Sequence, residues 1–337
     1  MRRRKNRFAM ACLVFLIGLA VLAMFTPLLP LQPPQRQRLN HQFVPPTFAT
    51  HESDALQLAG DEGTAGRDPL NEGFGNLGEI GRMQLKARIA VFGRWCLPSL
   101  CGTDQLGRDV LSRLFWGARI SLLVGLVATL VSLTIGVSYG AIAGYFGGRV
   151  DNFMMRIVDM LYSIPFIFVV IFVITVLSEQ KIKAKLEAVG INQIIVFFLV
   201  VGAIYWLTMA RVVRGQVISL KENQFVEAAR TIGAGQFRII FRHIVPNLLS
   251  IVIVYLTLTI PNVMLFEAFL SFLGLGVKPP DVSWGILADE GVKAITPLRV
   301  YWWLIVFPSL ALGITLFSLN FLGDGMRDAL DPRLKNK

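Results

Sequence analysis

Acid–base, nucleophilic or metal chemistry needs carboxylates, imidazoles or thiols held close together, and this chain has few such groups. His41 and His51 lie ten apart in a stretch rich in proline and glycine, without the further ligands of a metal site, so no metal is expected. The acidic run DEGTAGRD lacks the spacing of a calcium loop. Cys96 and Cys101, five apart in WCLPSLC, allow either a disulfide or two free thiols, whereas Cys12 sits in an apolar run. That leaves carboxylates in unusual company. Glu267 and Asp159 stand inside apolar runs, and Glu227 and His243 stand in EAARTIGAGQFRIIFRHIVPN, a charged stretch between two such runs.

The elements that must carry these residues follow from composition. Of 337 residues 54% are hydrophobic and 16% charged, and the mean hydropathy is +0.59, too apolar for a soluble domain. Crossing about 30 Å of hydrocarbon takes roughly 20 apolar residues. Six runs qualify or nearly do: Phe8–Leu31, Ala118–Tyr145, Phe153–Leu177, Ile191–Met209, Leu248–Leu275 and Val300–Leu322. Within lipid each segment must satisfy its own backbone, so the expected fold is all-α and polytopic with six transmembrane helices. The net charge of +11 is read as a topology signal, because Lys and Arg are denser in the pieces that an N-in arrangement puts inside; nucleic acid is not an expected partner. MRRRKNR before an apolar run also fits a signal peptide, but the run is longer than a typical signal core and a retained first helix is expected.

The expected organisation is a cytoplasmic basic tail (1–7), a first span (8–31), an extracytoplasmic segment (32–105), an interfacial helix (106–116), five further spans (117–331) and a cytoplasmic tail (332–337). The outer segment is read as loosely structured, with a short helix near Met83–Phe92. Thr103 or Asp104 would cap the interfacial helix, with Leu106, Val110, Leu111 and Leu114 on one side and Arg108, Asp109 and Arg113 on the other. Ala128, Ser132, Gly136, Gly140 and Gly144 set a small residue at every fourth position of the second span, a packing face for a neighbouring helix or for a partner subunit. Pro165 and Pro261 are expected to bend the third and fifth spans. Asp159 is expected to pair with Arg156, and Asp324 to lie at an interface. Glu267 is expected to line a polar path or to be hydrogen-bonded in the interior; Pro261 and Asp159 are further path candidates. Tyr301, Trp302 and Trp303 read as interfacial anchors.

In the charged stretch, Phe225, Ala228, Ala229 and Ile232 recur at helical spacing, and so do Phe237, Ile240, Phe241 and Ile244. Gly233 and Gly235 supply a turn between them, and Pro246 is expected to close the second helix, with His243 near its last carbonyls. The result is a helix-turn-helix at about 221–247, larger than a connector requires and suited to a soluble partner.

EAA, then three residues and a glycine, resembles the coupling loop of permease subunits of ABC importers. The wider chain resembles the C-type permease of the oligopeptide and dipeptide importers, through GTDQLGRDVLSR, SIP at 163–165, RHIVPN at 242–247, EAFLSFLGLGVKPP at 267–280, SWG at 283–285 and GDGMRDALDPRL at 323–334. These motifs cover roughly residues 101–334; the outer segment is longer than the family pattern. The resemblance implies that Glu227, Ala228, Ala229 and Gly233 meet an ATPase subunit. It also implies a homologous second permease, two ABC ATPases, an extracytoplasmic solute-binding protein and a peptide substrate. Nickel, glutathione and peptide antibiotics are alternatives within the same family, and a secondary transporter is the alternative outside it. The chain has no GxxxxGK[ST], so ATP and magnesium would be held by the partner ATPases, with no cofactor in this chain and no enzymatic role for it. The expected location is the bacterial inner membrane.

Overall fold

In a computed structural model, the protein is described over residues 2–48, 73–75, 77–177, 179–180, 182, 185–186, 193–278 and 281–330. The regular elements among the described residues are helical: α1 (Arg2–Met24), α2 (Glu79–Phe92), α3 (Val110–Phe146), α4 (Gly148–Ser163), α5 (Phe166–Leu177), α6 (Gln193–Leu220), α7 (Gln224–Thr231) and α8 (Gln236–Arg238). A π-helical turn (Ile239–Ile244) then leads into α9 (Val245–Phe272), followed by α10 (Trp284–Lys293) and α11 (Trp303–Leu330). Among the described residues four helices are long and apolar enough to cross a bilayer unbroken, and six spans result if each of two bent pairs counts as one.

Several boundaries differ from the sequence reading. The first helix ends at Met24, short of Leu31, because Pro27 turns the chain into the 3-10 turn Thr26–Leu28. The third span is broken at Pro165, with α4 and α5 meeting at 83°. The fourth helix continues past Met209 to Leu220 and carries Arg211 and Arg214 with it. No separate interfacial helix forms over 106–116. Asp104 instead accepts from the backbone of Leu106 (2.8 Å) and Arg108 (2.9 Å), holding a turn, and α3 starts at Val110. The cap is Asp109, whose Oδ2 accepts from the Ser112 amide at 2.7 Å.

The chain gathers into two compact units, Met1–Cys12, Val124–Leu265 and Leu319–Lys337 in one, and Leu13–Leu123 and Phe266–Ser318 in the other. In the first, the small-residue face of α3 meets α6 of the same chain. A Cβ on Gly136 would lie 2.6 Å from the Met209 Cβ, and one on Gly144 2.8 Å from the Arg214 carbonyl oxygen. Backbone contact this close is what associates helices where no hydrophobic drive between them exists. The core of this unit joins Val137, Ala141 and Tyr145 of α3 to Met209, Val213 and Val217 of α6.

The second unit is built around α10. Ser283 caps it, accepting from the Ile286 amide, while the Trp284 indole donates to the Leu114 carbonyl at 2.9 Å and its amide to Ser121 Oγ at 3.0 Å. Far from loose, the described part of the outer segment is tied in by long-range bonds. Thr103 Oγ1 donates to the His41 carbonyl (2.6 Å) and accepts from the Val44 amide, and buried Arg88 of α2 donates to the Leu31 carbonyl (3.1 Å). His51 and the DEGTAGRD run lie outside the described residues. Of the three expected anchors only Trp302 is exposed; Trp303 is buried and donates to the Thr103 carbonyl, and Tyr301 stacks on Phe43 at 3.9 Å.

Cys96 and Cys101 are free thiols, so the bridge their spacing allows is not formed. They are drawn into different apolar clusters, Cys96 with Phe74 and Leu85, Cys101 with Val110 and Trp303. Burial pushes both thiols up, against the pull of Arg88 at Cys96, and with Asp109 adding to the rise at Cys101, to about 12. At that value on the order of one Cys101 in 10⁴ is thiolate at pH 8. Both are expected to resist maleimide in the folded protein and to label fully after denaturation. A mass shift read before and after unfolding checks this, and rapid native labelling would contradict the packing.

Candidate coupling surface

The charged hairpin is mounted on the α3–α6 platform. Val226 and Ala229 of α7, then Ile239, Ile240 and Ile244, are buried in the core that α3 and α6 provide. Arg230 lays its guanidinium over the Tyr145 ring at 5.5 Å, and Phe237 meets Phe146 edge-on. The turn closes as a Schellman motif: the Ala234 amide bonds the Ala229 carbonyl (3.0 Å) and the Gly233 amide bonds that of Arg230 (2.9 Å). Gly233 has φ +82°, a left-handed conformation that glycine takes without strain.

The apolar stripes are rotated relative to the sequence reading. Of the first set only Ala229 turns inward, joined by Val226, while Phe225, Ala228 and Ile232 face out; Ile232 is 86% exposed. Of the second set Ile240 and Ile244 are inside, and Phe237, 61% exposed, and Phe241 are outside. Glu227 is exposed as well, on another face of α7. The two short helices pack on α3 and α6 and leave about half their apolar side chains uncovered. From Gln236 to Phe272 the helix runs 37 residues, which at 1.5 Å each exceeds the bilayer core by about 25 Å, and the charges Arg238, Arg242 and His243 place that excess at the hairpin end.

No second helix end occurs at Pro246. The chain passes from α8 through the π turn directly into α9, with the Val245 amide bonding the Ile240 carbonyl five residues back. This wider register just before the proline accommodates a ring with no N–H to give. His243 therefore lies within a continuous helix, where its carbonyl accepts from the Asn247 side chain at 2.6 Å.

The path candidates are dispersed. Glu267 is 1% exposed, and its Oε1 accepts from Ser271 (2.9 Å) and Ser283 (2.6 Å), which ties α9 to the cap of α10. Pro261 is buried inside α9, which remains a single helix. Burial within the chain removes both from its exposed faces. Asp159 is exposed and pairs with Arg211 of α6 at 2.6 Å instead of Arg156, because α4 lies across α6 at that level. Asp324 is exposed near the end of α11. Sequence reading passed over Arg211 and Arg214, whose signal was two charges in the tail of an apolar run. It also missed Glu290, which joins Arg108, Arg113 and Asp104 in one ion-pair cluster.

Comparison with known proteins accounts for nearly the whole chain. Residues 136–336 match the family described as binding-protein-dependent transport system inner membrane component, and residues 1–46 match the N-terminal TM domain of oligopeptide transport permease C. The dipeptide transport system permease protein of Bacillus subtilis (strain 168) is 39% identical over 334 residues, 99% of this chain and 84% of that protein. The oligopeptide transport system permease protein of Haemophilus influenzae is 48% identical over 232 residues, 69% of this chain and 70% of that one. That of Escherichia coli (strain K12) is 47% identical over 232 residues, 69% and 72% of the two. With its helical architecture and spans, the chain belongs to the inner-membrane permeases of binding-protein-dependent transport systems, multi-pass membrane proteins that transport rather than catalyse.

Proposed function

We propose that the chain is the C-type permease of an ATP-driven importer of oligo- or dipeptides, with both termini in the bacterial cytoplasm. It pairs with a homologous permease, two ABC ATPase subunits and an extracytoplasmic solute-binding protein. The names of its relatives support the substrate class. The observation that carries the coupling role is the outer face of the hairpin. Phe225, Ala228, Ile232, Phe237 and Phe241 are left uncovered on the hairpin, and Glu227 is exposed on another face of α7. Uncovered apolar surface of that kind marks a protein interface.

The work then divides by chemistry. The ATPase subunits hold ATP and magnesium, since this chain has no phosphate-binding loop. Closure of the ATPase pair displaces the hairpin. Because Val226, Ala229, Ile240 and Ile244 are packed against α3 and α6, that displacement passes into two spans as a rigid-body movement and switches the path between outward and inward openings. Gly233 fixes the angle between the two arms; Glu227 makes the polar contact.

Glu227→Arg is expected to abolish ATP-driven uptake while the protein stays in the membrane, since charge reversal at a docking surface costs on the order of 2 kcal/mol or more. Peptide uptake and co-purification of the ATPase subunits from detergent are the measurements. Normal uptake by this variant would remove the coupling role.

A further inference from the structure

The fourth span carries a polar row that a plain membrane anchor does not need. Tyr205, Thr208 and Arg211 recur every third residue of α6 and share one face over about 9 Å. Thr208 and Arg211 are exposed and Tyr205 is half-buried. The end of α4 completes the patch. The hydroxyls of Tyr162 and Thr208 are 2.5 Å apart, Arg211 Nη2 donates to Asp159 Oδ1 at 2.6 Å, and the Arg211 guanidinium sits 4.0 Å from the Tyr162 ring centroid. One turn along α6 the Tyr205 hydroxyl donates to the Asn262 carbonyl of α9 at 3.1 Å, with the Asn262 side chain exposed beside it.

Two ion pairs join α4 to α6, and they differ in kind. Arg214 grips buried Asp151 through two bonds, Nε to Oδ1 at 2.5 Å and Nη2 to Oδ2 at 2.6 Å, and holds the helices together. Arg211 and Asp159 make one contact and stay open on the chain's surface, with side chains 44% and 65% exposed. Residues 159–165 are exposed without interruption, because the 83° turn at Pro165 carries α5 away and leaves the patch uncovered. Hydrocarbon satisfies neither the charges nor the hydroxyls, so this face looks onto water or onto a polar ligand. An ion pair this exposed is weak, and a zwitterion supplying the same two charges replaces it at little cost. The patch offers groups for ammonium, carboxylate and amide.

We propose that this patch lines the translocation path and takes the passing peptide by its main chain and ends, Arg211 meeting the carboxylate, Asp159 the ammonium, and Tyr162, Thr208 and Tyr205 the amides. The inference rests on the peptide-importer reading above. It assigns this subunit a sequence-tolerant contact, which suits a conduit that passes many side chains.

The complete importer in liposomes, fed trialanine and its C-amidated and N-acetylated forms, tests this. Arg211→Gln and Asp159→Asn are each expected to lower trialanine uptake about tenfold, the loss of one charged hydrogen bond. Arg211→Gln narrows the preference over the amidated peptide, and Asp159→Asn that over the acetylated one. ATP hydrolysis stimulated by loaded binding protein persists in both. The exchange Asp159→Arg with Arg211→Asp does not restore uptake. Wild-type rates in the single variants, unchanged preferences, or restored uptake in the exchange would overturn the proposal, the last by showing a merely structural pair. A loss that follows the anionic lipid content of the vesicles would overturn it in favour of a headgroup contact. Absence of trialanine uptake by the wild-type importer would overturn the peptide reading itself, and this site with it.

Discussion

Gly140→Leu is expected to leave only a small fraction of the wild-type amount of folded protein in the membrane, and Gly140→Ala to lower the midpoint of thermal unfolding in detergent. A Cβ at this position would lie 3.0 Å from the Ala210 carbonyl carbon and 3.0 Å from the Arg214 amide nitrogen, and closer still to the Ala210 oxygen. These are backbone atoms of α6 and cannot rotate away. One methyl therefore has to push two helices apart, at about 1–3 kcal/mol for an overpacked site, and a leucine adds three more carbons in the same place. The separation also spreads the floor on which Val226, Ala229 and Ile240 rest, so uptake is expected to fall further than the amount of folded protein does. Gly215, on α6 itself, is the control. No atom lies within 4 Å of its added Cβ, and alanine there is expected to be neutral or slightly stabilising through helix propensity. Equal behaviour of Gly140→Ala and Gly215→Ala would show that α3 and α6 do not touch as described.

What the sequence disclosed and what it hid separate along a physical line. Spans were legible because hydrocarbon imposes a local rule on composition, and the α3 stripe was legible because small residues every fourth position have a single use. The stripe's partner was not, since nothing in α3 distinguishes α6 from another subunit. The hairpin's place and turn could be read from its charges and glycines. Its facing could not: Phe225, Val226, Ala228, Ala229 and Ile232 form an apolar arc wider than any one contact, and only the platform beneath decides that Val226 goes in and Ile232 out. The same holds for Asp159, where the neighbour on its own helix looked sufficient until α4 was laid across α6. Composition misled most in the outer segment, whose polar groups suggested looseness. Thr103 with His41 and Arg88 with Leu31 are bonds between residues about 60 apart, and no local pattern announces them.

Glu290→Ala is expected to destabilise the protein by about 3 kcal/mol, because it removes one wall of a buried charge cluster. Arg113, 2% exposed, donates to Asp104 Oδ2 at 2.7 Å and to both carboxylate oxygens of Glu290, the Nη2–Oε1 bond being 3.0 Å; Arg108 reaches Asp104 at 2.6 Å and Glu290 at 3.3 Å. Two carboxylates thus balance two guanidiniums. Loss of Glu290 leaves the pair of cations sharing Asp104 alone, and breaking one partner of such a set costs about 3–5 kcal/mol, here toward the lower figure because Asp104 remains. Burial alone would push the Glu290 carboxyl up, but the hydrogen bond and charge of Arg113, with Arg108 behind it, outweigh burial and hold it below the ordinary value of 4.5. A carboxyl whose folded pKa lies below its unfolded one binds fewer protons when folded. Its contribution is therefore complete above the unfolded value and is lost as the pH falls through the folded one. The wild-type protein is accordingly expected to lose thermal stability on acidification below about pH 4.5 more steeply than Glu290→Gln, which has no proton to take up there. Arg113→Lys discriminates geometry from charge. An ammonium keeps the sign but loses the fork that reaches Asp104 and Glu290 together, so a loss of stability close to that of Glu290→Ala is expected. Unfolding midpoints of the three variants and wild type between about pH 2.5 and 7.5 decide the matter. Parallel curves for wild type and Glu290→Gln would mean that α10 is held by Ser283 and Trp284 without help from this cluster.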